Sequence, residues 1–527
     1  MATTLSACIK ENEMSIEKTR ITTSSDYKIG EISQRLFGSF IEHMGSVVYT
    51  GIYEPGHALA DENGFRLDVL EKIKALHLGV IRYPGGNFTS GYDWTDTIGP
   101  IAERPKKIDL AWRAIEPNSF GLNEFMTWIK EVGAEPIWTI NLGTGTIDQA
   151  RNIIEYCNFP KGTYWSDLRR SHGVENPHEI KLWCLGNELD GSWQIGAKSA
   201  IEYGRLANET SKVMKLVDSS IETVLVGSST PRLLSYPSWD RIALEEAYDT
   251  VDYLALHNYI DKYDEDDLTK PPRTERDDTA TYLAKSKRFD RQIEDVIATC
   301  DYVKALKRSD KTMYLAFDEW NVHNQPEKQN NAFEIGSPVD WCYFTMEDTL
   351  LFASLGLSIL RHADRVKIAC QSLLVNTIPL ILTDANGSCW VNPTYYVMQH
   401  LATYAKGEVL QEIKQGPIYD VDKIKSVDYL DSCVVENKEE IILFIVNRMP
   451  SHQMFSYQSD QTLADEIQHI ELSSASLLDK NTRENPEKIV PKETVEVVQW
   501  QNKQVDMMLS PYSWHVIKMK KGEKNGI

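Results

Sequence analysis

The stretch MYLAFDEWNV (313–322) holds five residues, Met313–Phe317, that are nearly all apolar, followed by two carboxylates and a tryptophan. So short and continuous a run reads as a strand buried on both faces, the kind found in parallel sheets. Upstream, Phe289, Ile293, Val296, Ile297, Cys300 and Val303 mark one face of a helix. The same pattern recurs along the chain. Further strands are expected at Arg35–Ile41, Val80–Tyr83, Pro136–Asn141, Lys181–Leu185, Thr223–Gly227, Tyr253–His257 and Val366–Leu374. Helical patterns separate them, as with Leu67, Leu70, Ile73 and Leu76 before Val80. Strands alternating with helices imply right-handed βαβ units and a parallel sheet. Eight such units predict an α/β fold, a (β/α)8 TIM barrel. An open doubly wound sheet is disfavoured, because no GxGxxG follows the first strand.

Beyond about residue 400 helical periodicity fades. Glu440–Val446 (EIILFIV), Ile467–Leu472 and Trp514–Met519 read as strands of a C-terminal antiparallel β-sandwich. The expected division is 1–34 as a segment contributing to the sandwich, 35–398 as the barrel and 399–527 as the sandwich. The acidic stretch Asp261–Asp267 and the polar segment to Asp278 read as a long loop beside the sixth strand.

Composition narrows the partners. The 527 residues carry 77 Asp and Glu against 56 Lys and Arg, a formal net charge of −21. Such a surface repels polyanions, so nucleic acid and anionic membranes are poor partners, while a neutral sugar is not. No apolar run is long enough to span a bilayer. The eight cysteines form no CxxC pair, and several lie in apolar runs, as buried free thiols do. With no signal-peptide pattern at the N-terminus, these features predict a cytoplasmic protein.

A barrel enzyme works at the C-terminal ends of its strands. Those ends carry Glu42, Arg82, Asn87, Asn187, Glu188, His257, Tyr259, Glu319 and Gln371. Carboxylates and amides together suit a ligand rich in hydroxyls, which both donate and accept. Glu188 and Glu319 fit glycoside hydrolysis, which uses one protonated carboxyl and one ionised carboxylate across a sugar. Arg82 either keeps Glu319 ionised or is a structural ion pair of the barrel. Gly85-Gly86 either admits a ligand close to the backbone or forms a tight turn. Trp94, Trp193 and Trp320 are candidates for sugar stacking or for core packing. His43, His257 and His323 lack metal-ligand spacing, so no metal is expected, and nothing calls for a cofactor.

Seven motifs then point to one family. FGSFIEHMG (37–45), GIYEPGH (51–57), IRYPGGNFTSGYDW (81–94), GLNEFMTW (121–128), WCLGNELDGSWQIG (183–196), VDYLALHNY (251–259) and LAFDEWNV (315–322) resemble the glycoside hydrolase family 51 α-L-arabinofuranosidases. The resemblance implies release of terminal α-L-arabinofuranosyl residues from arabino-oligosaccharides or arabinoxylan fragments, with retention. Glu188 would be the general acid/base and Glu319 the nucleophile. Glu42, Asn87 and Asn187 would bind arabinose hydroxyls, and Tyr259 would touch both nucleophile and sugar. It also implies a homo-oligomer, hexameric in such proteins. Another retaining glycosidase of the same barrel clan, a β-xylosidase or endoglucanase, is the alternative. Three departures stand out: Leu373 where the family has a binding Gln, with Gln371 two residues earlier on the same strand face; His323 where Trp is usual; and Gly45-Ser46 after the EH motif.

Overall fold

A computed structural model describes residues 18–263, 275–327 and 331–522. Much of the loop expected after Asp261 therefore lies outside the described residues. Eight strands close a barrel: Gly38–Phe40, Val80–Tyr83, Glu135–Thr139, Leu182–Cys184, Glu222–Leu225, Tyr253–Ile260, Tyr314–Val322 and Val366–Gln371. Each pairs in parallel with its neighbours in sequence, and the eighth closes on the first. Val80, Ile137, Leu182, Cys184, Val224, Ala255, Ala316, Ile368 and Cys370 form one buried cluster contributed by these strands. Their opposite faces pack on surrounding helices, which is why the runs are apolar throughout rather than alternating.

Two differences from the expected strands matter. Arg35 sits in a short 3-10 turn, Gln34–Leu36, before the first strand. The sixth and seventh strands run on to Ile260 and Val322, so the polar residues at their ends lie within the sheet. The seventh also holds one extra residue. Ala316 pairs with Ala255 and Glu319 with His257, three steps against two. The register against the eighth strand slips likewise between Phe317 and Trp320. This is a β-bulge at Phe317–Asp318, and a bulge re-aims side chains.

The sandwich has sheets of four and seven strands. The smaller runs Ile413–Gln415, Thr19–Thr23, Gln453–Ser459, Gln504–Leu509. The larger runs Lys28–Glu31, Glu408–Leu410, Leu430–Glu436, Glu440–Asn447, Ser513–Lys521, Leu463–Leu472, Lys492–Val497. One pairing departs from the antiparallel expectation: Thr19–Thr23 lies parallel to Gln453–Ser459. Ile441, Leu443 and Ile445 face the smaller sheet, with Phe455 and Tyr457. Ile442, Phe444 and Val446 face the main core, where helix Met346–Arg361 packs. Burial on both faces explains why EIILFIV does not alternate. That helix is buried from Met346 to Leu360, because barrel and sandwich cover it on opposite sides.

Candidate active site

The C-terminal mouth of the barrel gathers the site from several strand ends. The fourth strand stops at Cys184, and Gly186 turns the chain at φ +103°. Glu188 follows at φ +46°, a left-handed conformation that costs a non-glycine residue about 1–3 kcal/mol. Its carboxyl is held at both oxygens: His257 Nδ1–H donates to Oε1 at 3.0 Å and the Trp193 indole N–H to Oε2 at 2.8 Å.

Glu319 faces it from the seventh strand. Arg82 donates to its Oε1 at 2.7 Å and the Tyr259 hydroxyl to its Oε2 at 2.7 Å. An oxygen of Glu188, one of Glu319 and a nitrogen of His257 all lie within 4.8 Å of one another. Arg82 is buried, donating also to Thr139 Oγ1 at 3.1 Å and Asn187 Oδ1 at 2.8 Å. Asn187 in turn donates to Asn87 Oδ1 at 3.0 Å.

Asp318 completes the group, and sequence reasoning passed over it. Its carboxylate meets His257 Nε2 at 3.1 Å and Arg82 Nε at 3.4 Å. Consecutive strand residues should face opposite sides. The bulge brings Asp318 and Glu319 to the same cluster, and no residue-type signal announces it.

Charge and burial decide the protonation. Burial alone would lower the His257 pKa, but Glu319 and Asp318 outweigh it and hold the imidazole charged. Burial would raise Asp318, yet Arg82 and His257 keep it below the usual carboxylate range. Burial lifts Glu319; His257 and Arg82 pull it back, and a charged Glu188 pushes it up again. Two cations, Arg82 and His257, balance two ionised carboxylates. A third carboxylate in this dry space would be unbalanced, and Glu319 stays raised on balance. Glu188, His257 and Glu319 also have donor types that suit a divalent cation. However, both His257 nitrogens are engaged as N–H donors to carboxylates, which leaves no lone pair for a metal.

Glu42 lies beside this group. Its Oε1 accepts from Phe88 N–H at 2.8 Å and Trp112 Nε1–H at 2.9 Å. Burial raises its pKa to about 8, with Glu319 adding to the shift. Gly85 and Gly86 exist for this carboxyl: a Cβ on Gly85 would lie 2.5 Å from Glu42 Cγ, and one on Gly86 2.2 Å from Oε2. The glycine pair thus gives room to a side chain of the protein itself.

The other candidates divide. Gln371 is buried, with its Oε1 accepting from Ser39 at 3.0 Å and its Nε2 donating to the Leu373 carbonyl at 3.1 Å. Its amide is committed to the protein rather than turned to a ligand. Trp94 packs on Tyr156 and Trp165, and Trp320 stacks on Phe352, so both belong to the core. Trp193, 48% exposed, alone of the three reaches the rim. His43 is spent on Glu116 and Tyr83. His323 stands between Asp261 at 3.6 Å and Asp340 at 3.8 Å.

A family profile described as α-L-arabinofuranosidase 1 domain matches residues 72–272, and one described as α-L-arabinofuranosidase C-terminal domain matches 318–513. An intracellular exo-α-(1→5)-L-arabinofuranosidase of Halalkalibacterium halodurans is 45% identical, over 96% of this chain and 100% of its own. Its Bacillus subtilis counterpart is also 45% identical with the same coverage. Among solved structures, a family 51 α-L-arabinofuranosidase of Bifidobacterium longum superposes with a TM-score of 0.87 at 31% identity, over 95% of this chain and 99% of that one.

Proposed function

The chain belongs to the family 51 α-L-arabinofuranosidases, and from that premise we propose how its mouth releases terminal α-L-arabinofuranosyl residues. The enzyme is an exo-acting glycoside hydrolase, and the reaction is a double displacement. Glu188 donates a proton to the leaving oxygen. Glu319 attacks C1 and forms a glycosyl-enzyme. Glu188, now ionised, takes a proton from water, which releases arabinose and restores both carboxyls.

The carrying observation is the separation of the two carboxyls, whose nearest oxygens lie within 4.8 Å. A retaining pair stands about 5–5.5 Å apart, whereas an inverting pair leaves room for water at about 6.5–9.5 Å. The hydrogen bonds support the division of roles. Glu319 faces a guanidinium and a phenol, which stabilise a carboxylate. Glu188 faces an indole, and its only cation, His257, is shared with Asp318.

Around this pair, Asn87, Asn187 and Tyr259 bind sugar hydroxyls and Arg82 orients Glu319. Glu42, neutral below about pH 8, donates from Oε2 to a hydroxyl, because its Oε1 already accepts twice. His257 positions Glu188. Gln371 shapes the wall through Leu373 without touching the sugar. Trp193 offers its exposed ring to the leaving group. The substrates are short arabino-oligosaccharides, including (1→5)-linked ones such as the relatives' names specify. The relatives named intracellular support a cytoplasmic location, where imported oligosaccharides would be met, and the family resemblance supports a homo-oligomer.

Proton NMR of an aryl α-L-arabinofuranoside during hydrolysis tests the reading. The α-anomer of arabinose should appear first and mutarotate later. First appearance of the β-anomer, or preference for an aryl β-xyloside, would refute it.

A further inference from the structure

The sandwich holds a second group of donors, away from the catalytic carboxyls. Strand Leu463–Leu472 lies between Ser513–Lys521 and Lys492–Val497. Glu471 pairs directly with His515, and His469 with Thr494. Residues two apart share a strand face. His469, Glu471, His515 and Glu496 therefore project from one side of the sheet. One donor atom each of His469, Glu471 and His515 lies within 4.8 Å of the others.

The hydrogen bonds orient both rings. Glu496 Oε1 can only accept, so His469 Nδ1, 2.8 Å away, is its donor, which leaves Nε2 as the nitrogen that can turn to a metal. The single Ser513 hydroxyl proton goes to the Ser510 carbonyl. His515 Nε2, 2.6 Å from Ser513 Oγ, must then donate to that oxygen, which leaves His515 Nδ1 to turn the same way. His469 Nε2 and His515 Nδ1 face each other at 2.9 Å, a hydrogen-bond distance bridged by one proton that a metal ion would replace.

We propose that His469 Nε2, His515 Nδ1 and a Glu471 carboxylate oxygen bind a borderline transition-metal dication, Zn²⁺ or Ni²⁺. Imidazole and carboxylate are the donors such ions take, at about 2.0–2.2 Å for zinc. Tetrahedral bonds of that length place nitrogens about 3.3 Å apart, so the rings part by a few tenths of an ångström. The surroundings match a ligating site. His469 donates its other N–H to a carboxylate and His515 to a hydroxyl, the outer contacts that orient metal-bound imidazoles. Ser473 and Ser510 donate to the two Glu471 oxygens at 2.6 and 3.0 Å. His515 is fully buried and His469 nearly so, while Glu471 lies on the more open side, where an ion enters. The ion would join two neighbouring strands of the larger sheet and stabilise the sandwich by mass action.

Titration of the full-length, chelator-stripped protein with Zn²⁺ in a calorimeter, with thermal unfolding in parallel, tests this. One site that raises Tm is expected. Glu471→Gln should weaken it at least tenfold and His469→Gln should abolish it, with hydrolysis of an aryl α-L-arabinofuranoside unchanged in both. Absence of zinc binding at micromolar concentrations, leaving a proton shared between the rings, overturns the proposal. So does unchanged stoichiometry in His469→Gln, which would place the ion elsewhere. If His469→Gln does not fold, Glu471→Gln carries the test.

Discussion

The two ends of the barrel carry nearly the same chemistry. At the N-terminal end Arg35 donates to Glu135 at 2.7 and 2.8 Å and to Glu222 at 3.0 Å, and the Tyr253 hydroxyl also meets Glu222. At the mouth Arg82 meets Glu319 and Asp318, with Tyr259 on Glu319. The difference is water. The Arg35 side chain is 25% exposed and that of Arg82 1%. Solvent screens the lower group, where an unbalanced carboxylate costs little. At the dry mouth a second cation, His257, is held charged by Glu319 and Asp318, and Glu319 still stays raised on balance. The same residue types are partly solvated at one end and sealed from water at the other.

That contrast breaks first at Glu319. Glu319→Ala should lower kcat/KM on an aryl α-L-arabinofuranoside by roughly 10⁴-fold or more, with circular dichroism unchanged; wild-type-like turnover would end the assignment. Glu188→Ala comes next, with a loss of roughly 10²–10⁴-fold on substrates with poor leaving groups. The loss should shrink on an activated aryl leaving group, which needs no proton; a uniform loss would contradict the role of Glu188 as acid. Asp318→Asn removes a negative charge beside Arg82 and His257. The Glu188–Glu319 pair then loses a proton more easily, so the basic limb of the kcat/KM profile should move down by roughly one pH unit. A limb that stays in place would separate Asp318 from the proton balance.

At the other end, Arg35→Met should cost about 1–3 kcal/mol in urea unfolding and leave kcat unaltered; a fall in kcat would mean the two ends are coupled. The smallest effect belongs to His323 at the rim. Burial opposes its charge, but Asp261 and Asp340 raise its pKa from 6.5 to about 9. A raised folded-state pKa contributes stability that is complete below about pH 6.5 and lost as pH rises through about 9. The Tm deficit of His323→Asn should therefore be larger at pH 6 than at pH 10. An equal deficit would mean the ring acts by packing alone.

Much of this was readable from sequence because burial on both faces leaves a plain mark. Runs such as Val80–Tyr83 and Tyr253–His257 have no polar side to confuse the reading. Glu188 and Glu319 were readable because each ends such a run. Asp318 was not, since its orientation depends on one extra residue in the seventh strand, a matter of register between strands. Strand alternation placed Gln371 on the right face, but did not reveal the hydrogen bonds of its amide to the Ser39 hydroxyl and a nearby carbonyl. Gly85-Gly86 left ligand approach and a tight turn both open, and the space beside the pair is taken by Glu42. Sequence marks where room exists, and packing decides what fills it.

Strand Thr19–Thr23 lies inside the smaller sheet, between Ile413–Gln415 and Gln453–Ser459. The barrel is therefore an insertion within the sandwich, and synthesis order matters. The first sandwich strand leaves the ribosome hundreds of residues before its neighbours and must wait unpaired while the barrel closes. A fragment starting at residue 399 would expose two raw edges where that strand belongs, an invitation to aggregate. The two halves cannot be separated by a single cut.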